Sequence, residues 1–285
     1  MTLNIAGQLF SLEHPQVMGI LNITPDSFYA GSRKQTETDI ANRAIEVATE
    51  GGTMIDLGAY SSRPGAADVS PSEEMARLRK ALQIVRKETP QLVVSVDTFR
   101  AEVAKMAVEE EGAHIINDIA GGDLDPAMFD TVAQLRVPYI LMHMKGTPQT
   151  MQQSPVYERL IPEVFQHLAE RVQRLQRLGA KDIIIDPGFG FAKTLAHNYQ
   201  LMAHLEAFGE LELPLLVGIS RKSMIYRLLD GTPETALNGT TALHMVALQK
   251  GAHILRVHDV APACEAVAIH RALTDNRLSP ACSSL

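Results

Sequence analysis

The sequence predicts a (β/α)8 barrel formed by a single domain over residues 1–285, and three observations carry that expectation. Eight short runs rich in Val, Ile and Leu recur along the chain, with helical patterning between them and no linker, as repeated βαβ units require. The units are evenly spaced and fill the length of one α/β barrel, which favours closure over the alternative, an open doubly wound sheet. Each run also stays apolar until its C-terminal end, where a polar or charged residue appears.

In chain order, LNIAGQLFSL comes first, two short runs around Gly7 that predict a hairpin closing the barrel floor. The strands expected after it are VMGILNIT (17–24), TMIDLGA (53–59), LVVSVDT (92–98), HIINDI (114–119), PYILMHM (138–144), DIIIDPG (182–188), PLLVGIS (214–220) and HILRVHD (253–259). The segments between them suit helices. ETDIANRAIEVATEGG starts with charge and ends in glycines. SPSEEMARLRKALQIVRK has serines ahead of an acidic first turn, a capping pattern. YERLIPEVFQHLAERVQRLQRLG ends at Gly179, a C′ position, and TPETALNGTTALHMVALQKG also ends in glycine. The tail NRLSPACSSL is polar.

Composition narrows the function classes. A net charge of −7 argues against a partner held by nucleic-acid phosphates, though not against a small anion in a locally basic pocket. Cys264 and Cys282 form no CxxC pair and no zinc spacing, which suits reduced thiols. The first residues lack the basic start and apolar run of a signal peptide, and no run approaches a membrane span. The expectation is a cytoplasmic protein without a membrane or nucleic-acid partner.

The polar strand ends are Asn22, Asp56, Asp97, Asn117, His143, Asp186, Ser220 with Lys222, and Arg256 with His258. In a barrel these ends converge on the rim that carries active sites. A polar residue can simply mark where a strand stops. That explains one such residue better than eight, because part-buried carboxylates and amides need partners. Asp97, Asn117 and Asp186 offer acceptors for the N–H edge of an aminated heterocycle, and Asn117 adds donors. Arg63, Arg221, Lys222, Arg256 and His258 offer cationic groups that suit phosphate or pyrophosphate. Asn22 offers a carbonyl oxygen, a mild ligand for a magnesium ion that accompanies phosphates. The site reads as bipolar. TPDSFYAGSRKQ and YSSRPGAADVSPS are long polar loops, candidate lids as much as plain surface loops, and the Pro-Gly turn after Arg63 would aim that side chain.

MGILNITPDSF (18–28), SSRPGA (61–66), SVDT (95–98), NDI (117–119), DPGFGF (186–191), SRK (220–222) and RVHD (256–259) together resemble the dihydropteroate synthase family, in its order and over essentially the whole chain. The resemblance implies a barrel that condenses 6-hydroxymethyl-7,8-dihydropterin pyrophosphate with p-aminobenzoate. The products are 7,8-dihydropteroate and pyrophosphate, in folate biosynthesis, by dissociative loss of pyrophosphate. It also implies magnesium, a homodimer and a sulfonamide target. By resemblance, Asn22 is a magnesium and pyrophosphate ligand. Asp97, Asn117, Met142, Asp186 and Lys222 bind pterin. Ser62, Arg63, Arg256 and His258 bind pyrophosphate, and Pro64, Phe191, Ser220 and Arg221 line the p-aminobenzoate side. Lys222, Arg63 and Asp97 are the expected catalytic set.

Three positions depart from the family pattern. Tyr29-Ala30-Gly31-Ser32 replaces its usual Ser-Asp-Gly-Gly, Ser62 replaces a threonine, and Ala192 replaces a glycine, which is costly if φ there is positive. Two other readings stay open: a pterin-binding methyltransferase module, which needs no pyrophosphate grip, and an inactive paralogue serving as a binding subunit. His143 has no partner at metal-ligand spacing and reads as a structural or pocket-edge histidine. Met142 and Met144 are expected to split, one toward the core and one toward a helix. The glycines of DPGFGF lack the third glycine of a dinucleotide fingerprint.

Overall fold

A computed structural model describes residues 1–23, 37–60, 69–147 and 155–274. All eight expected parallel strands form: β3 (Gln16–Asn22), β4 (Met54–Gly58), β5 (Val93–Asp97), β6 (Ile115–Asp118), β7 (Tyr139–Met142), β8 (Ile183–Asp186), β9 (Leu216–Val217) and β10 (Ile254–Val257). Their order is β8-β7-β6-β5-β4-β3-β10-β9. The two ends of that sheet meet, because Ile185 bridges Leu215 and its N–H donates to the Pro214 carbonyl at 2.9 Å. The sheet is therefore a closed barrel. β9 is shorter than its apolar run suggests. It is flanked by Pro214, which has no N–H to give, and by Gly218.

The hairpin predicted for the floor is β1 (Thr2–Ile5) and β2 (Gln8–Ser11), antiparallel, with Ala6 and Gly7 both at positive φ in a two-residue turn. Its Leu3, Ile5 and Phe10, with Leu12 just beyond, pack against Met18, Met54, Val93, Ile115, Ile140, Ile184, Leu216 and Ile254. That is one inward residue from each barrel strand, so this layer is a plug. Burying each such side chain contributes about 1.5–3 kcal/mol.

The two-residue period of a strand then dictates the layer above the plug. Counting two residues on gives Ile20, Asp56, Ser95, Asn117, Met142, Asp186, Gly218 and Arg256. The intervening residues, such as Leu21, Leu57, Val96, Ile185 and Val257, face out and pack under the helices. The barrel interior thus turns from apolar to largely polar within one step, through Asp56, Ser95, Asn117, Asp186 and Arg256.

Helices follow the strands: α1 (Glu37–Thr49), α2 (Pro71–Glu88), α3 (Ala101–Glu109), α4 (Met128–Leu135), α5 (Leu160–Arg177) and α6 (Leu195–Ala203). Ser70 caps α2 as expected, its hydroxyl accepting from the Glu73 N–H, with Pro71 in the first turn. Gly179, at φ 94°, follows the end of α5. After β9 the chain makes two helices, α7 (Ser223–Leu228) and α8 (Leu237–Gln249), because the Asp230–Thr235 stretch with Gly231 and Pro233 interrupts them. α9 (Val260–Thr274) completes the ring.

Candidate active site at the barrel mouth

The first polar feature above the plug is a buried ion network. Arg256 on β10 donates through Nε to Asp56 Oδ2 at 2.6 Å and through Nη2 to Asp97 Oδ2 at 3.1 Å. Asn117 Nδ2 donates to the same Asp56 oxygen at 2.9 Å. Asp56 is fully buried, and its second oxygen, like the hydroxyl of its cross-strand partner Ser95, has no partner among the described residues. Asp97 and Asn117 are register neighbours at the tops of β5 and β6. Burial pushes the Asp97 carboxyl up to about 7, against the pull of Arg256, with Asp56 adding to the push.

The second feature is the turn after β8. Asp186 Oδ1 accepts the Gly188 N–H at 2.8 Å. Burial raises its pKa, opposed by Lys222. A Cβ on Gly188, at φ 76°, would lie 2.0 Å from the His143 carbonyl, so only glycine fits. Lys222 donates to the Phe189 carbonyl, and its ammonium lies 4.7 Å from the centre of the Phe191 ring. Burial brings Lys222 down to about 8, while Asp186 pulls it up. Met142, Ala192 and Phe191 share one apolar cluster with Ile119 and Met144. Ala192 has φ 48°, so the methyl group does sit at a position that favours glycine.

Four sequence expectations need correction. His143 does not join the other strand ends at the rim, and is instead the structural histidine that its lone position suggests. It lies at odd parity from the plug residue Ile140, so it faces outward, buried, with Nδ1 3.0 Å from Lys193 Nζ and its ring 4.6 Å from that of His167. Met142 and Met144 pack into one cluster rather than splitting, since residues two apart share a face. Arg221 does not offer its guanidinium to a ligand. It is committed to both oxygens of Asp259 and to the Pro233 and Glu234 carbonyls. Arg256 is not purely on the anion side, because two of its nitrogens serve the acids.

Ser220 is buried and its hydroxyl accepts the His258 N–H at 3.1 Å. His258 stands exposed at the end of β10. Asn22 closes the top of β3. A Cβ built on Gly58 would lie 3.7 Å from both Asn22 Oδ1 and Asp97 Oδ2, so those two oxygens flank one small space. Ser62, Arg63 and Pro64, and the altered Tyr29–Ser32 stretch, lie outside the described residues, as does Cys282.

Two groups at this site were not singled out from sequence. Asp56 reads in the sequence only as a strand end, although its inward parity is countable. Lys193 follows the DPGFGF turn with no pattern that marks it. It is buried, and its ammonium donates to the Gly188 and Phe191 carbonyls at 2.9 and 3.1 Å. Burial brings it down to about 7, against Asp186.

The barrel, with acids and cations facing each other across its mouth, fits one class of protein. A family model described as pterin binding enzyme matches residues 18–258, from β3 to the residue after β10. Dihydropteroate synthase from Escherichia coli strain K12 is 43% identical over 271 residues, 94% of this chain and 95% of that one. A crystal structure of Yersinia pestis dihydropteroate synthase with a sulfonamide drug complex aligns with TM-score 0.91 and 40% identity, covering 96% of this chain and 100% of that one. Xanthomonas albilineans dihydropteroate synthase with 4-aminobenzoic acid aligns with TM-score 0.88 and 40% identity, covering 95% and 97%. The chain belongs to the dihydropteroate synthase family and is a transferase of that kind.

Proposed function

We propose that the barrel mouth, as a single domain, condenses 6-hydroxymethyl-7,8-dihydropterin pyrophosphate with p-aminobenzoate, and that the inward polar layer is its pterin floor. The observation that supports this most is the shared partner of Asn117 and Arg256. One Asn117 N–H donated to Asp56 orients the amide, which turns its Oδ1 acceptor and its second N–H toward a ligand. Asp97, Asn117 and Asp186 then accept from the N–H edge of the ring. Lys222 donates to it, and Met142 supplies an apolar wall.

Arg256 uses Nε and Nη2 on the acids, which leaves Nη1 for a phosphate oxygen. His258, Ser62, Arg63 and Asn22 complete the anion side in this reading. Departure of pyrophosphate breaks the bond between the pterin methylene carbon and the bridging oxygen, whose electron pair leaves with the phosphate. The electron-rich ring stabilises the resulting cation. The arylamine nitrogen attacks it, a C–N bond forms, and a proton is released. No nucleophilic side chain is needed. Phe191, Ser220 and Pro64 shape the aminobenzoate side, while Arg221 braces the rim.

The donors suit magnesium. No group of three His, Cys, Asp or Glu among the described residues could hold a metal ion. Asn22 Oδ1, which like Asp97 Oδ2 borders the space over Gly58, instead offers hard oxygen to an ion that draws its other ligands from phosphates and water. When bound, magnesium would neutralise charge on the leaving pyrophosphate. The reading extends to a cytoplasmic homodimer. Exposed Ile269 and Leu273, one turn apart on α9, support a self-associating surface. No described helix is long and apolar enough to cross a membrane. The test is pyrophosphate release that requires both substrates. Pterin binding without turnover would instead support a binding subunit.

A further inference from the structure

We infer that Arg221 and Asp259 are positioning residues that set the anion grip at the end of β10, an inference resting on the proposed pyrophosphate role of His258 and Arg256. Arg221 occupies left-handed backbone, φ 54°, where a side chain is disfavoured. Its surroundings over-determine that conformation. Its N–H donates to the Thr240 hydroxyl at 3.1 Å. Nε and Nη2 each donate to an Asp259 oxygen at 2.8 Å, and Nη1 donates to the Pro233 and Glu234 carbonyls at 2.7 and 2.9 Å. A fork with four of its five N–H donors spent on the protein is a brace rather than a substrate contact.

What the brace holds is His258, the residue between the end of β10 and Asp259. The His258 N–H donates to Ser220 Oγ at 3.1 Å. Its carbonyl accepts from Arg43 Nη2 at 2.6 Å, and Arg43 Nε donates to the Ile20 carbonyl at 3.2 Å. Both backbone groups of His258 and the side chain that follows it are thus tied, from α1 on one side and the β9–α7 turn on the other. An exposed residue just past a strand end would otherwise sample many conformations. The clamp fixes the backbone from which Arg256 and His258 project, and holding a ligand's partners in place lowers the ordering cost of binding.

The full-length protein and three variants test this by calorimetry, with inorganic pyrophosphate in magnesium buffer and separately with 6-hydroxymethylpterin. Asp259→Ala removes the anchor. Arg221→Gly removes the fork while keeping a residue suited to positive φ, so the turn itself is retained. His258→Ala is the control for the reading beneath. The expected result is a pyrophosphate Kd raised about tenfold in all three, pterin affinity within about twofold, and a wild-type circular dichroism spectrum at the assay temperature. Unchanged pyrophosphate affinity in Asp259→Ala and Arg221→Gly, with a loss in His258→Ala, overturns the clamp and leaves the functional reading intact. No loss in His258→Ala overturns the reading and the clamp with it. Equal losses for pterin and pyrophosphate reduce the pair to general scaffolding and also overturn the inference.

Discussion

Asp56 and Arg256, 200 positions apart in the chain, meet inside the barrel at 2.6 Å, where the carboxylate is fully buried and also holds Asn117. A buried ion pair adds little net stability, but removing one partner strands the other charge. Asp56→Asn leaves the Arg256 guanidinium facing an amide and frees the Asn117 amide to flip. The expected cost is about 3 kcal/mol of stability by the buried-pair argument, read by urea unfolding. Turnover should fall about a hundredfold, since two ligand-facing groups lose their orientation. Near wild-type kcat/KM in Asp56→Asn would remove Asp56 from any positioning role.

The raised pKa of Asp97 makes pterin binding depend on pH. Its folded value, about 7, lies above its ordinary carboxylate value, 3.8. The folded state therefore binds more protons between those limits, and this group's contribution to stability is lost as pH rises through about 7. Ligand binding runs the other way. An acceptor for ring N–H groups must be ionised, so affinity for 6-hydroxymethylpterin should rise from pH 6 to a plateau near pH 8, within about one unit of the Asp97 value. Asp97→Asn should flatten that profile. Asp97→Ala and Lys222→Ala should each abolish turnover with circular dichroism unchanged, and full activity in either would sink the site assignment.

Much of this site was legible in the sequence, and the rest failed for identifiable reasons. The strands showed because both their faces are buried, which writes them as Val/Ile-rich runs. The polar rim showed because Asp97, Asn117 and Asp186 interrupt those runs. His143 interrupts one in the same way yet faces outward. Parity counted from the plug would have separated it from Met142. Partnership was not legible, because the Arg221–Asp259 clamp spans 38 positions and the Asp56–Arg256 pair far more. An arginine beside Ser220 and Lys222 looks like a ligand group until its fork is seen to be filled.

Ala192 is a case of near-cancelling terms. The left-handed conformation costs a non-glycine residue about 1–2 kcal/mol. Against this, alanine narrows the unfolded ensemble relative to glycine by about 0.4–1 kcal/mol. Its methyl, buried beside Met142 and Met144, recovers roughly 0.8 kcal/mol. Ala192→Gly should therefore change unfolding free energy by less than about 1 kcal/mol and preserve activity. Ala192→Val places a branched side chain at φ 48° and should cost more than about 2 kcal/mol. Denaturant midpoints of the two variants check this. A strongly stabilised Ala192→Gly would show that strain outweighs packing.

Lys193 ties the turn carrying Asp186 to the outside of the barrel, and its removal should be visible in stability against pH. Its ammonium serves the Gly188 and Phe191 carbonyls and His143 Nδ1, so Lys193→Met takes a donor from all three; the Gly188 carbonyl keeps the Phe191 N–H at 3.2 Å, and the loss at the other two costs about 1–3 kcal/mol. The sign of the pH effect follows from its depressed pKa, about 7 against 10.5. Between those values the folded state binds fewer protons than the unfolded chain, so this lysine makes stability rise with pH across that window. Below it the group is charged in both states and contributes no slope. Lys222 titrates similarly, but it is present in both proteins and drops out of the comparison. The difference in unfolding free energy between wild type and Lys193→Met should therefore grow from pH 7 to pH 9, by up to about 1.4 kcal/mol per unit. Parallel curves would mean that Lys193 stays charged in the fold. In that case the three acceptors around it hold a full ammonium, and the turn owes its shape to an ion rather than to a neutral amine.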